Sequence, residues 1–333
     1  TFHPEFAYLP RKFKIAVCGT PNDQAATQVH DIGLYIKKNA EGEIGFQVLV
    51  GGGLGRTPVI GAEICDFLPW KHLLTYLDAI MRVYNRFGRR DNKYKARIKI
   101  LVKAIGADGF REKVDAEWQH DKDGPGTLTE EEVNRCKAFF TDPAYEKLDD
   151  NDAEVASAAG KDLLFSHWIE RNVTEHKTSG YRIVNLCIKE TGVAPGDLTD
   201  AQMDFVADLA DKFSFGELRV THEQNLVLTD VPLKDLYELF QACKQESLAT
   251  PYLGLLNDIV CCPGGDFCSL ANAKSIPIAE SIQRRFEDFQ RQMDIGDITL
   301  NISGCMNACG HHHVGNIGIL GVDKKGAEFY QVS

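Results

Sequence analysis

Two short cysteine pairs carry the strongest chemical signal in the sequence: Cys262-Pro-Gly-Gly-Asp-Phe-Cys268 and Cys305-Met-Asn-Ala-Cys309. Of the ten cysteines, Cys261 and these four crowd into the 49 positions from 261 to 309. The others, at 18, 65, 136, 187 and 243, are scattered, mostly in apolar stretches where unpaired buried thiols are ordinary. Four thiolates on backbone able to fold around a cube are what a 4Fe–4S cluster requires. The Pro-Gly-Gly loop, with Gly304 and Gly310 beside the second pair, supplies that bending freedom. Neighbouring backbone N–H groups can then hydrogen-bond the cluster sulfurs and set the potential. Structural zinc prefers two to four residues between paired ligands, and the first pair has five. Disulfides belong to oxidising compartments, and simple buried thiols explain one such pair better than two. Spacing therefore favours iron–sulfur, with Cys261 and Cys262 both open as the first ligand.

A second constellation is Leu9-Pro10-Arg11-Lys12-Phe13-Lys14. If it enters a strand, alternation puts Lys12 and Lys14 on one face and Arg11 and Phe13 on the other. Two ammonium groups on one face can clamp a small dianion and give protons as its oxygens leave. The plainer reading of such a charge pattern is a solvated surface pair. The formal net charge of −11 excludes a general nucleic-acid surface, since phosphate binding needs a basic face. It also means that a small anionic substrate requires a local cationic pocket. No run of about 18 apolar residues exists, so no membrane span is expected.

Other segments narrow the chemistry. Gly51-Gly52-Gly53-Leu54-Gly55 follows a strand but lacks the spacing, helix and acidic residue of a dinucleotide fingerprint. In the run Arg89, Arg90, Lys93, Lys95, Arg97, Lys99, a helix would put Lys95 and Lys99 on one face and Arg97 roughly opposite. His311-His312-His313 on a strand would alternate faces, so the three cannot share one ion without a turn; packing near a cofactor is the safer reading. Nothing resembles a flavin or nicotinamide site, so electrons are expected from a separate partner protein.

The elements that must position these groups are legible in outline. Residues 13–18 read as a strand and 31–50 as a hairpin around a turn at 39–42. Leu73, Leu74, Leu77, Ile80, Met81, Tyr84 and Phe87 recur at helical spacing and stop at Gly88; 94–105 and 110–118 read as further helices. Residues 120–160 are acidic and turn-rich, as in a linker or surface excursion. A strand over 181–188, a helix from a Thr199/Gln202 capping box to 213, short strands at 218–221 and 225–228 and a helix over 233–245 give a β-α-β-β-α order. That order fits a ferredoxin-like sandwich. The last part carries a helical span over 269–293, divided at Pro277, and strands at 298–303, 316–320 and 327–332. We expect a multidomain α+β protein with units over 1–150, 160–250 and 251–333. Both ends read as mid-protein sequence, as if cut from a longer chain.

Over nearly its whole length the chain resembles the siroheme-dependent nitrite and sulfite reductases. The resemblance rests on C-x5-C followed by G-C-x-N-x-C-G, and on LPRKFK, VLVGGGLGRTP, RRDNKYKARIK and GELRVTHEQNLVL. It implies Cys262, Cys268, Cys305 and Cys309 as ligands of a 4Fe–4S cluster, with Cys261 a bystander. It also implies Cys309 as the axial ligand of siroheme iron, with Asn307 beside it. Lys12 and Lys14 would line the substrate side. Siroheme carboxylates would draw on Arg11, Arg56, Arg90, Arg97 and Lys99, with Gly52 and Gly53 allowing close backbone approach. Thr221 and Gln224 resemble a cofactor-side loop, although a plain hairpin turn is an equal reading. The implied reaction is six-electron reduction of sulfite to sulfide, and Lys14 leans that way; nitrite reduction to ammonia is the alternative. An electron-transfer iron–sulfur module, or a cut piece without turnover, is the rival of another class. The implied donor is a flavoprotein reductase or ferredoxin, and the implied location is the cytoplasm.

Overall fold

The hairpin expected over 31–50 is present as β2 (Ile32–Lys38) and β3 (Ile44–Val50), paired antiparallel. It forms the centre of a sheet ordered β1-β2-β3-β4. Here β1 (Ile15–Cys18) runs parallel to β2, and β4 (Ala62–Pro69), absent from the sequence reading, runs antiparallel to β3. The structure, a computed structural model, describes residues 4–333 and divides into two units, the first ending at Thr141 and the second spanning Asp142–Ser333.

In the first unit α1 (Leu73–Phe87), α2 (Ile98–Ile105) and α3 (Ala107–Trp118) pack with the sheet in one core. The buried stripe of α1 is Tyr76, Ala79, Ile80, Val83 and Tyr84, the i, i+3, i+4, i+7, i+8 pattern of one helix face. Leu74 and Phe87, expected on that stripe, lie exposed at its rim, and the Lys113 ammonium sits over the Phe87 ring at 4.7 Å. Tyr76 and Val83 carry the face instead. Helix α2 starts at Ile98, four residues later than expected, because Arg97 is still extended at φ −126°. The short α4 (Glu130–Lys137) is capped by Thr129 and buries nothing.

The second unit opens with α5 (Ala153–Ala159) and α6 (Leu163–Asn172), then β5 (Val173–Glu175) and β6 (Tyr181–Leu186). The expected β-α-β-β-α order follows as β6, α7 (Asp200–Phe213), β7 (Leu218–Val220), β8 (Leu226–Pro232) and α8 (Leu236–Gln245). Both arms of the capping box at Thr199 and Gln202 are formed. The antiparallel sheet, ordered β5-β6-β8-β7, packs under these helices on a core around Phe165, Trp168, Val184, Leu228 and Phe240. The result is the α+β ferredoxin-like arrangement. Helices α4 and α5 show that the acidic 120–160 stretch is not simply a linker; neither buries a residue, so no apolar periodicity announced them.

The last stretch holds β9 (Val260–Cys261), α9 (Ile276–Arg285), α10 (Phe289–Ile295), β10 (Leu300–Ser303), β11 (Ile317–Lys324) and β12 (Ala327–Val332). Pro277 stands in the first turn of α9, where its missing N–H costs nothing. The expected helix over 269–275 is instead a run of turns. In the sheet, ordered β12-β11-β10-β9, both β9 and β11 run parallel to β10.

Candidate functional site

Parallel pairing decides where the cysteines emerge. Val260 pairs with Asn301 and Cys261 with Ile302, so the chain leaves β9 and β10 at the same end of the sheet. Cys262 follows β9 directly, and its N–H donates to Ile302 O at 3.1 Å; Cys305 lies two residues beyond β10. Antiparallel strands would have sent the two loops to opposite ends. The loops are then stitched together. Asn272 and Ala273 N–H groups donate to Gly304 O at 2.8 and 3.1 Å, and Gly265 N–H donates to Ala273 O at 2.9 Å. A Cβ on Gly304 would stand 2.7 Å from Ala273 O and 2.8 Å from Gly264 Cα; only glycine permits this approach.

The two adjacent cysteines have different surroundings. Cys261 is buried, its S–H donates to Cys262 O at 3.2 Å, and burial, reinforced by the neighbouring Cys262, pushes its thiol well up. Cys262 Sγ instead accepts the Gly304 N–H at 3.0 Å and lies 3.6 Å from Ser275 Oγ. A backbone amide aimed at the sulfur is a contact of the kind that orients and tunes a metal ligand. Cys268 is half-buried, Cys305 buried and Cys309 exposed. Among the described residues no three His, Cys, Asp or Glu side chains gather tightly enough for one metal ion. Cys262 and Cys305 leave the sheet at one end, and the Gly304 N–H at Cys262 Sγ is a contact that would suit a ligand of a 4Fe–4S cluster.

Exposed Asn307 and buried Ala308 lead to Cys309, and Ala308 takes a left-handed φ of 57°. His311, His312 and His313 lie in a turn, not on a strand. His312 is 2% exposed, and both its ring nitrogens are buried without a hydrogen-bond partner. Burial, with the neighbouring histidines, lowers its pKa to about 4.

In the first unit the lysine motif ends where β1 begins. Lys12 is exposed and Lys14 half-buried, and both precede the strand at Ile15, so strand alternation does not govern them as expected. Lys14 is held by its backbone: its N–H donates to Asp31 Oδ2 at 3.0 Å and its carbonyl accepts from Ile32 N at 3.1 Å. Asp31 Oδ1 takes Arg97 Nη2 at 2.8 Å. Lys99, 8% exposed, donates to Leu54 O at 3.2 Å and Thr57 O at 2.5 Å, and burial, with Arg97 nearby, lowers its pKa. Arg97 and Lys99 therefore brace the glycine loop from within. Gly52 and Gly53 are tight for different reasons: a Cβ on Gly52 would meet the backbone at Gln28 O, 2.3 Å away, and one on Gly53 would meet Arg97 Nη2 at 2.9 Å. Of the five cations expected at the cofactor, three face solvent: Arg56, Arg11, which donates to Lys93 O at 3.2 Å, and Arg90, which donates to Asn85 Oδ1 at 2.9 Å and lies over the Tyr84 ring. Exposed guanidinium groups suit the carboxylates of siroheme.

Thr221 and Gln224 form the turn between β7 and β8, and Gln224 reaches the Cys261 backbone. The sequence offered two cues to this contact, a hairpin turn and a neighbouring cysteine loop, but not their juxtaposition. Asp31 and Asp258, each buried in a polar network, carried no cue beyond their charge.

Two family models match parts of the chain. Residues 1–122 match the nitrite and sulphite reductase 4Fe-4S domain, and residues 179–246 match the nitrite/sulfite reductase ferredoxin-like half domain. The chain is 28% identical over 324 residues to Sulfite reductase [ferredoxin] 2 of Mycolicibacterium paratuberculosis, covering 96% of this chain and 51% of that protein. It is 26% identical over 335 residues to the chloroplastic ferredoxin–nitrite reductase of Arabidopsis thaliana, covering 98% and 50%. The structure of the Mycobacterium tuberculosis NirA protein superposes with a TM-score of 0.69 at 26% identity, over 99% of this chain and 54% of that one. The chain thus spans about half the length of the curated relatives it matches. Two matched domains, relatives along almost the full chain and a shared fold lead to one conclusion: the chain belongs to the siroheme-dependent nitrite and sulfite reductase family, whose cofactors are siroheme and a 4Fe–4S cluster.

Proposed function

We propose that the protein reduces sulfite to sulfide with six electrons, and that this chain supplies both the cluster ligands and the lysines of the anion site. The observation that carries the reading is the emergence of Cys262 and Cys305 at one end of parallel β9 and β10. Cys262, Cys268, Cys305 and Cys309 would hold the cluster, and Cys309 would also ligate siroheme iron. When bound, the two cofactors would supply single-electron transfer.

The remaining chemistry falls to side chains. Lys12 and Lys14 balance the charge of sulfite and give protons from Nζ as its oxygens leave as water. Lys14 suits this work because Asp31 fixes its backbone while its side chain stays partly accessible. Arg11, Arg56 and Arg90 would pair with siroheme carboxylates, while Arg97 and Lys99 shape the loop over Gly52 and Gly53. Thr221, Gln224 and Asn307 would line the cofactor side. The donor would be a ferredoxin, in keeping with the names of the relatives. No helix among the described residues is long and apolar enough to cross a membrane.

Nitrite reduction to ammonia is the second reading, favoured by relatives of both kinds. Steady-state assays of the full-length protein with each anion separate the two. A higher kcat/KM for sulfite supports the proposal, and a much higher one for nitrite overturns it. An absorption spectrum with iron and acid-labile sulfide counts tests the cofactors. A broad cluster band without a Soret-type band would point instead to a plain electron-transfer module.

A further inference from the structure

Strand β9 is the edge of its sheet and only two residues long, yet the first cysteine loop leaves from it. Its open side is not bare. Gln224 Nε2 donates to Cys261 O at 2.9 Å, and Gln224 Oε1 accepts from Cys261 N at 2.8 Å. One side-chain amide thus supplies the donor and acceptor that a neighbouring strand would offer. To do so, Gln224 adopts a left-handed φ of 61°, unusual for a residue with a side chain. Space is made at Gly196, where an added Cβ would stand 2.8 Å from Gln224 Cβ.

The turn carrying Gln224 is locked on its far side. Thr221 Oγ1 accepts from Glu223 N at 3.2 Å and from Asn225 N at 3.1 Å. The Lys189 ammonium, 0% exposed, donates to Glu223 O at 2.6 Å, Asn225 Oδ1 at 3.3 Å and Asp258 Oδ1 at 3.0 Å. Asn225 Nδ2 donates to the same Asp258 oxygen at 3.0 Å, and the other takes Gly254 N–H at 3.1 Å. A buried ion pair therefore ties the turn to a point three residues before Cys261, and the glutamine ties it to Cys261 itself.

We propose that Gln224 is a positioning residue for the iron–sulfur cluster, with Lys189 and Asp258 fixing the turn that presents it. The inference rests on the reading of Cys262 as a cluster ligand. The direction of the Cys262 sulfur, and its bond from Gly304 N–H, depend on how the preceding peptide is held. Amide bonds to ligand sulfur and solvent access set cluster potential and lability. Freed from Gln224, the loop exposes the cluster and alters that bond.

The test uses full-length holoprotein carrying Gln224→Leu, which keeps bulk and removes both bonds. Gln224→Glu, which breaks only the bond to Cys261 O, takes its place should the first variant fail to accumulate. Val206→Ala, in the core of the same ferredoxin-like unit and away from the turn, serves as a stability control. The readouts are iron release to an excess of chelator and the potential at which the reduced-cluster EPR signal appears. Release at least about fivefold faster, with a displaced EPR potential, is expected for the glutamine variant and not for the control. Wild-type release and potential in the glutamine variant, or equal acceleration in Val206→Ala, would overturn the assignment. Wild-type protein holding zinc without acid-labile sulfide would defeat the cluster reading and this inference with it, and that failure is recognisable before any variant is made.

Discussion

Arg97 Nη2 lies 2.8 Å from Asp31 Oδ1, while the other oxygen of that carboxylate holds the Lys14 N–H at 3.0 Å. Asp31 is 1% exposed, so one buried charge serves the entry to β1 and the support of the glycine loop together. Asp31→Ala leaves the guanidinium without its partner and two donors unsatisfied. Unit 1 should lose about 2–4 kcal/mol, read as a lower urea midpoint. Asp31→Leu combined with Arg97→Met should recover part of that loss, because the double change removes both charges.

Lys14 offers the direct test of the anion site. In full-length protein, Lys14→Met should lower kcat/KM for sulfite at least about 100-fold, through lost charge stabilisation and proton supply. The visible spectrum should not change, since the role assigned to Lys14 is toward substrate. Lys14→Arg should retain binding better than turnover, as guanidinium does not release a proton near neutral pH.

Two glycines separate space from strain. A Cβ on Gly310 would fall 2.0 Å from Ile302 O, so Gly310→Ala must push the second cysteine loop off β10. Iron and acid-labile sulfide per chain should fall by roughly half or more, following loss of the ligand geometry. Gly42, at φ +81° with nothing within 4 Å, provides the contrast. Gly42→Ala should cost about 1 kcal/mol and leave iron content unchanged.

His312 predicts an acid limb of stability. Its pKa falls from 6.5 to about 4 on folding, because burial disfavours the charged ring. Between those values the unfolded chain binds the extra proton, so stability is full above pH 6.5 and declines as pH drops toward 4, by up to about 3 kcal/mol. Unfolding of the second unit followed from pH 7 to 4 should show this slope, and His312→Gln should flatten it.

Trp168 is fully buried among Phe165 and Phe240. Trp168→Ala should destabilise the ferredoxin-like part by about 3–5 kcal/mol, measurable by thermal melting.

Much of this was legible beforehand because local chemistry determined it. The 32–50 hairpin, the Thr199 capping box and the Pro277 helix start depend on residues within a few positions of one another. The two glycine-flanked cysteine pairs stand out by their spacing, while the choice of Cys262 over Cys261 came only from the resemblance. What escaped depended on distant partners. The alternation argument for Lys12 and Lys14 failed because β1 starts at Ile15, two residues later than expected, where pairing with Ile32 begins. The shift of the α1 stripe toward Tyr76 and Val83 reflects the packing partners rather than the count of apolar residues. Arg97 and Lys99 looked like cofactor cations; their surroundings engage them with Asp31 and the loop carbonyls. The Gln224 contact joins residues 37 apart, beyond any local pattern.

Brevity of β9 has a consequence for life in air. A two-residue strand has almost no cohesion of its own, so its amides should exchange with deuterium soon after its lateral supports let go, well ahead of those in β10. Such fleeting openings would be the route by which oxygen reaches iron. How long the protein survives outside a reducing environment would then follow the opening rate of two peptides rather than the melting of the whole molecule.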